Sequence, residues 1–277
     1  MAAQETPTVP PSDVWLVALD VDGTVIHEDG TMADAVVDAV RSARDAGHAV
    51  TLATGRSWEM TQPILEKLEI VPEYIVCANG AITMRRDEQA DGGYRRELIE
   101  TFDAGPVLEL VRNGLPSARF LVEDPSGHRY FTKGMNEWNM DNSTEVKFED
   151  LSKQPVTRVV VMSPEQEPAE FLALVDSLGL HQVSYSIGWT AWLDIAPNGV
   201  NKGTSLERVR DFLDIPRERV FVAGDGRNDI EMFEWASVGG RAVAMGQAPD
   251  DVKALATEVT ESVLDDGLVS ALSTLPR

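Results

Sequence analysis

Asp20 and Asp22 stand two apart in Asp20-Val21-Asp22-Gly23-Thr24. On extended backbone that spacing points both carboxylates the same way. Two carboxylates that close repel each other unless a cation or a shared proton intervenes. Asp225, in Gly224-Asp225-Gly226-Arg227-Asn228-Asp229, offers a third. Three acidic groups about one point make an all-oxygen site of the kind that suits Mg2+. The plainer reading is that each Asp-Gly is a turn with its acid in water, but the same pattern at separate places weighs against it. Thr54, in Thr54-Gly55-Arg56, carries a hydroxyl that can donate to a phosphate oxygen or cap a helix. Gly55 admits a close backbone approach to a ligand, or only a tight turn. Lys202, in Asn201-Lys202-Gly203, reads by default as a solvated surface lysine. An acidic, metal-bearing site that takes a phosphate nevertheless needs a cation facing it.

A sheet is what could bring these residues together. The apolar runs Trp15–Leu19, Ala49–Ala53 and Tyr74–Cys77 read as buried strands. Helical patterns fall between them, at 32–46 with Thr31 and Gly47 as its ends, and at 58–69. That order predicts a parallel sheet with right-handed crossovers. The pattern returns late in the chain with a helix at Asn201–Leu213, a strand at Val220–Ala223, a helix at Asp229–Trp235 and a strand at Ala242–Met245. Helices at 250–257 and from about Asp266 follow. The clusters at 20–24, 54–56 and 224–229 each come straight after a strand, and ligands of open parallel sheets bind beyond the carboxyl ends of the strands.

The middle reads differently. A hairpin at 83–97 turns at Asp91-Gly92-Gly93, helices are expected at 103–113 and 166–178, and Arg158–Met162 and Ser184–Ile195 alternate as half-buried strands do. We read residues 83–196 as a separate α+β insert, 14–82 and 197–277 as the core, and 1–13 as a disordered tail. On the alternating segment Trp189 shares a face with Ile187, Leu193 and Ile195 and is expected in a core. Trp192 shares a face with Asp194 and is expected at the surface or in a pocket.

With 24 Lys+Arg against 46 Asp+Glu the formal net charge is −22. That field argues against nucleic acid and anionic membranes as partners, and it leaves a phosphate substrate in need of local cations. Cys77, the single cysteine, sits in an apolar run and reads as a buried thiol in a reducing compartment. The first residues have no basic stretch and no apolar stretch of a secretory signal, and no run of apolar residues is long enough to span a membrane. The expected location is cytoplasmic. Oligomeric state is not legible.

Taken in order, these residues resemble the haloacid dehalogenase superfamily, and within it the Cof-type sugar phosphatases. DVDGT at 20–24, Thr54-Gly55-Arg56, Asn201-Lys202-Gly203 and GDGRNDIEM at 224–232 resemble its four motifs. Asn79-Gly80-Ala81, Ala244-Met245-Gly246 and Asp266-Gly267 support them. Gln247 departs from the Asn usual after Met-Gly, and a small effect is expected of it. The resemblance implies a Rossmann-like parallel-sheet core with an α+β cap domain inserted between the second and third motifs. It implies a Mg2+-dependent phosphatase acting on a small phosphorylated, sugar-phosphate-like molecule. Asp20 would be the nucleophile and Asp22 the general acid and base. Asp20, Asp225 and the main-chain carbonyl of Asp22 would hold the metal. Thr54, Gly55, Arg56, Lys202 and Asn228 would bind phosphate, with Asp229 orienting from behind. A phosphotransferase or phosphomutase could use the same groups. A receiver-like phosphate-sensing module could too, though it is usually far smaller.

Overall fold

The computed structural model describes residues 13–133, 142–163, 167, 171, 183–187 and 192–276. The expected tail (residues 1–12 of it), most of the helix expected at 166–178, and Trp189 lie outside the described residues. In chain order the first elements are β1 (Leu16–Leu19), α1 (Asp34–Asp45), β2 (Ala49–Leu52), α2 (Trp58–Leu68), β3 (Tyr74–Cys77), β4 (Ile82–Arg86) and β5 (Tyr94–Ile99). Then come α3 (Gly105–Gly114), β6 (Arg119–Glu123), β7 (Arg129–Phe131), β8 (Ser143–Glu145), β9 (Arg158–Met162), β10 (Val183–Ile187) and β11 (Trp192–Pro197). The chain closes with α4 (Lys202–Phe212), β12 (Val220–Gly224), α5 (Ile230–Ala236), β13 (Arg241–Ala244), α6 (Asp250–Lys253), β14 (Glu258–Val259) and α7 (Gly267–Leu272).

The core sheet is parallel, in the order β14-β13-β12-β1-β2. β1 is central, and its alternate residues divide two apolar clusters. Val17 and Leu19 face Val36, Val40, Ile64, Leu65, Leu68, Leu268 and Leu272 of α1, α2 and α7. Leu16 and Ala18 face Leu206, Val209, Met232, Phe233 and Val252 of α4, α5 and α6. A strand buried on both sides has no polar face, which is why these strands read as unbroken apolar runs. Thr31 does not cap α1. Its N–H and hydroxyl both go to Asp29 Oδ1, at 2.9 and 2.6 Å, and Ala33 begins the helix without a side-chain cap.

A parallel bridge from Ala53 to Val76 carries the core sheet on to the antiparallel β3-β4-β5. The hairpin read from sequence as part of the insert therefore adjoins the core. Ile82, Met84 and Tyr94 pack in the same cluster as Val17 and Leu19. Its turn is as expected, with Gly92 and Gly93 at φ 70° and 75°. A second sheet, β10-β11-β9-β6-β7-β8, lies between the two halves of the core sequence. One of its faces (Phe120, Val122, Val159, Val161, Leu193, Ile195) packs on Val107, Leu108 and Val111 of α3.

Candidate active site

Asp20 is the residue where β1 ends. Its N–H still joins the ladder, donating to Ala223 O at 2.9 Å, so the carboxylate is fixed at the carboxyl edge of the central strand. The chain then turns sharply, with the N–H groups of Thr24, Val25 and Ile26 all directed to Val21 O. Gly23 makes the turn possible. Its φ is +75°, and a Cβ there would overlap the Asp225 carboxylate, so only glycine lets the two loops meet.

The turn sends Asp22 away from Asp20. The Asp22 side chain is 60% exposed and forms a bidentate pair with Arg56, Nη2 to Oδ1 at 2.6 Å and Nε to Oδ2 at 2.9 Å. One expectation drawn from the spacing changes accordingly. The carboxylates of Asp20 and Asp22 do not converge, which leaves Asp22 only its main-chain carbonyl to offer a metal. The Arg56 guanidinium, expected at phosphate, is paired here with the Asp22 carboxylate. Thr54 is fully buried, and its hydroxyl accepts from Arg56 N–H at 3.1 Å.

Lys202 corrects the default reading as well. It is the first residue of α4, fully buried, and its Nζ donates to Asp20 Oδ1 at 2.6 Å and Asp229 Oδ1 at 2.7 Å. Asn201 and Thr204 form a reciprocal cap that fixes where the helix starts. Gly203 lets α4 lie against the main chain of Glu231 in α5. Asp229 is also fully buried. Its Oδ2 accepts from the N–H groups of Asp225 and Gly226 at 3.0 and 2.9 Å, which shapes the loop that presents Asp225. Gln247, of which little was expected, ties this region together. Its Nε2 donates to Gly23 O at 2.6 Å and to Asp225 Oδ2 at 3.3 Å, and its Oε1 accepts from Val263 N–H at 2.9 Å.

Carboxylate oxygens of Asp20, Asp225 and Asp229 lie within 4.8 Å of one another. Three buried acids face one buried ammonium. Burial, and then the neighbouring Asp229, push Asp20 well above the ordinary carboxylate range, with Lys202 opposing. Burial and Asp229 likewise raise Asp225 to about 7. Burial alone would lower Lys202, but Asp20 and Asp229 outweigh it and hold the amine protonated. A pocket in which carboxylates resist ionising is one that a hard divalent cation would complete. The donor set fits such an ion through the carboxylates of Asp20 and Asp225, with Asp229 already occupied by Lys202 and two main-chain N–H groups.

Beyond this group, Asn228 Nδ2 donates to Asn79 Oδ1 at 3.1 Å, and Asn79 Nδ2 to Asp194 Oδ2 at 2.8 Å. Arg158 donates to Gly55 O at 2.9 Å and pairs with both oxygens of Asp194. The sequence reading did not single out Arg158 and gave Asp194 no role. The available signal was a charged residue inside an otherwise apolar strand, in RVVVM and WLDIAP. A cavity of about 180 Å³ lined by Leu16, His48, Thr51, Pro72 and Tyr74 lies at the opposite, amino-terminal ends of β1 to β3 and holds none of these groups.

The sequence profile of the haloacid dehalogenase-like hydrolases matches residues 17–272. A 5-amino-6-(5-phospho-D-ribitylamino)uracil phosphatase of Bacillus subtilis (strain 168) is 26% identical over 271 residues, covering 93% of this chain and 96% of the relative. A pyridoxal phosphate phosphatase of Escherichia coli (strain K12) is 28% identical over 260 residues, covering 88% and 92%. Among solved structures, a HAD subclass IIB sugar phosphatase superposes with a TM-score of 0.76 at 20% identity, over 94% of this chain and 98% of that one. A haloacid dehalogenase-like hydrolase from B. subtilis gives 0.77 at 22% identity, over 95% and 100%. These structures share the fold.

Proposed function

The chain belongs to the haloacid dehalogenase-like hydrolase family, and from that membership we propose that it is a Mg2+-dependent phosphatase releasing phosphate from a small phosphorylated metabolite through an aspartyl-phosphate on Asp20. The observation that carries this reading is the setting of the Asp20 carboxylate. It stands at the carboxyl edge of the central strand, with Oδ1 held by Lys202 and the Asp225 carboxylate alongside.

In this scheme Asp20 Oδ2 attacks phosphorus as the ester oxygen departs, and the acyl phosphate so formed is hydrolysed in a second step. Asp22 gives a proton to the departing oxygen and later takes one from the attacking water. Arg56 orients the Asp22 carboxylate for both transfers. Lys202 Nζ, Thr54 Oγ1 and the main-chain N–H groups of Val21 and Gly55 hold the phosphoryl oxygens. Asn228 and Asp229 keep the Asp225 loop in shape. The cation, when held by Asp20, Asp225 and the Asp22 carbonyl, supplies the positive charge that offsets repulsion between carboxylate and phosphate.

The named relatives act on small molecules, one a phosphoribityl-bearing uracil and the other pyridoxal phosphate, which supports a metabolite as substrate. We assign the cap to the second sheet and α3. Because β4 and β5 pack with the core, we place its limits near residues 101 and 196. The test is a phosphate-release screen over phosphorylated metabolites with Mg2+, repeated with EDTA and with Asp20→Asn. Release is expected only from the native protein with metal, and near-normal release by Asp20→Asn would refute the nucleophile.

A further inference from the structure

We propose that Gln247 is a positioning residue for the divalent cation, its amide holding the Asp20 loop and the Asp225 loop at the spacing at which both reach one ion. The proposal rests on the Mg2+ part of the reading above and adds to it a residue from the end of a third strand.

Gln247 lies just past β13, and its main chain is anchored on both sides. Met245 N–H donates to Gly224 O at 2.9 Å, Gly246 N–H to Glu261 O at 2.9 Å, and Ala248 N–H to Met245 O at 3.0 Å. A Cβ at position 246 would come within 2.7 Å of Ser262 N and 2.9 Å of Thr260 O, so this turn lies directly on the segment before α7. From that fixed point the side chain runs back into the site. A carboxamide offers two N–H groups and one oxygen. Here Nε2 meets two acceptors, Gly23 O at 2.6 Å and Asp225 Oδ2 at 3.3 Å, and Oε1 meets one donor, Val263 N–H at 2.9 Å. Gly23 follows Asp22, whose carbonyl is one of the proposed ligands. One amide thus touches both loops that carry ligands, and a third segment orients it.

The chemistry of the group suits this task. The carboxylates of Asp20, Asp225 and Asp229 crowd together, and the ammonium of Lys202 is spent on Asp20 and Asp229. A lysine or arginine reaching Asp225 would bring a positive charge to the place where the cation binds. An amide N–H orients one oxygen of Asp225 and leaves the charge of the carboxylate to the ion. Loss of a hydrogen-bond partner behind a metal ligand typically lowers metal affinity by roughly 10–100-fold. A residue that only braced the loops would give stability to the fold and leave the affinity of the folded protein alone.

The test is calorimetric titration with MgCl2 of the native protein, Gln247→Met and Gln247→Asn. Met keeps the length of Gln without its donors, whereas Asn keeps the amide on a stem one methylene shorter. Gln247→Met is expected to bind Mg2+ about tenfold or more weakly than the native protein, with circular dichroism close to native. A smaller fall in the folded variant overturns the proposal, whatever the change in melting temperature, and leaves Gln247 as a brace. If Gln247→Met fails to fold, Gln247→Asn decides by the same threshold, because the shorter amide does not span from the anchored turn to both loops. A native protein that takes up no Mg2+ overturns the metal reading and this assignment with it. Turnover does not enter the titration, so phosphate release that survives in Asp20→Asn overturns the nucleophile alone.

Discussion

At the scale of single residues, the site works by giving similar side chains different surroundings. Three buried aspartates lie close together, a fourth, Asp22, turns outward, and each is held differently. Asp20 is paired with Lys202, Asp229 with Lys202 and two main-chain N–H groups, Asp225 with Gln247, and Asp22 with Arg56. Because the Asp22 side chain is turned to Arg56, Asp22→Asn is expected to keep most of the Mg2+ affinity while Asp225→Asn loses it. Calorimetric titration of the two variants checks this, and equal losses would contradict it. Lys202→Met would leave Asp20 and Asp229 buried with no cation. A loss of about 3–5 kcal/mol is expected in denaturant unfolding of the metal-free protein.

At the scale of elements, precision comes from strand ends joined by tight loops. The Asp20 turn and the Asp225 loop come within contact only because position 23 has no side chain. Gly23→Ala combines a left-handed φ with overlap on the Asp225 carboxylate, so the loops must separate. A displacement of that kind costs roughly 100-fold in turnover. We expect such a fall in kcat/KM together with weaker Mg2+ binding, while circular dichroism stays close to native. Unchanged kinetics would mean that the contact between the two loops does not matter. The α4 cap has a comparable role, since Asn201 and Thr204 set the start of the helix that carries Lys202 inward.

For the whole molecule, the balance of charge makes stability depend on pH and metal together. Asp225 is raised to about 7, and Asp20 is raised too, so the folded metal-free protein holds protons that the unfolded chain gives up near 3.8. Stability from these groups is fully present below the unfolded value and is lost as pH rises through the folded one. The melting temperature of the metal-free protein should therefore fall between about pH 4 and 7 through this site. Mg2+ should raise it more at pH 8 than at pH 5, because the ion binds the ionised carboxylates. Calorimetric scans with EDTA and with Mg2+ at the two values test this, and equal Mg2+ shifts at both would count against the site. A formal charge of −22 makes the same demand on the substrate. In the proposed site, Lys202 and Arg56 are the cations set against an anionic substrate within this acidic surface.

The succession of apolar runs and helical stripes was enough to place the core strands, because a strand buried on both faces admits little but apolar residues. It was enough, too, to put Asp20, Thr54 and Asp225 after strands that end at one edge. Where each side chain points was decided only in three dimensions. Lys202 lies in an unremarkable polar stretch, and nothing local says that it is buried, since its partners Asp20 and Asp229 are distant in sequence. Asp22 has the spacing of a partner to Asp20, yet the Gly23 turn and Arg56 draw it outward. The hairpin of β4 and β5 has an ordinary turn signature, and only the pairing of β4 with β3 beside the core sheet, with Ile82, Met84 and Tyr94 buried in the core cluster, attaches it to the core. Arg158, Asp194 and Asn79 meet across two separate sheets. Periodicity along one strand reports which face a residue occupies and carries no information about what that face will meet.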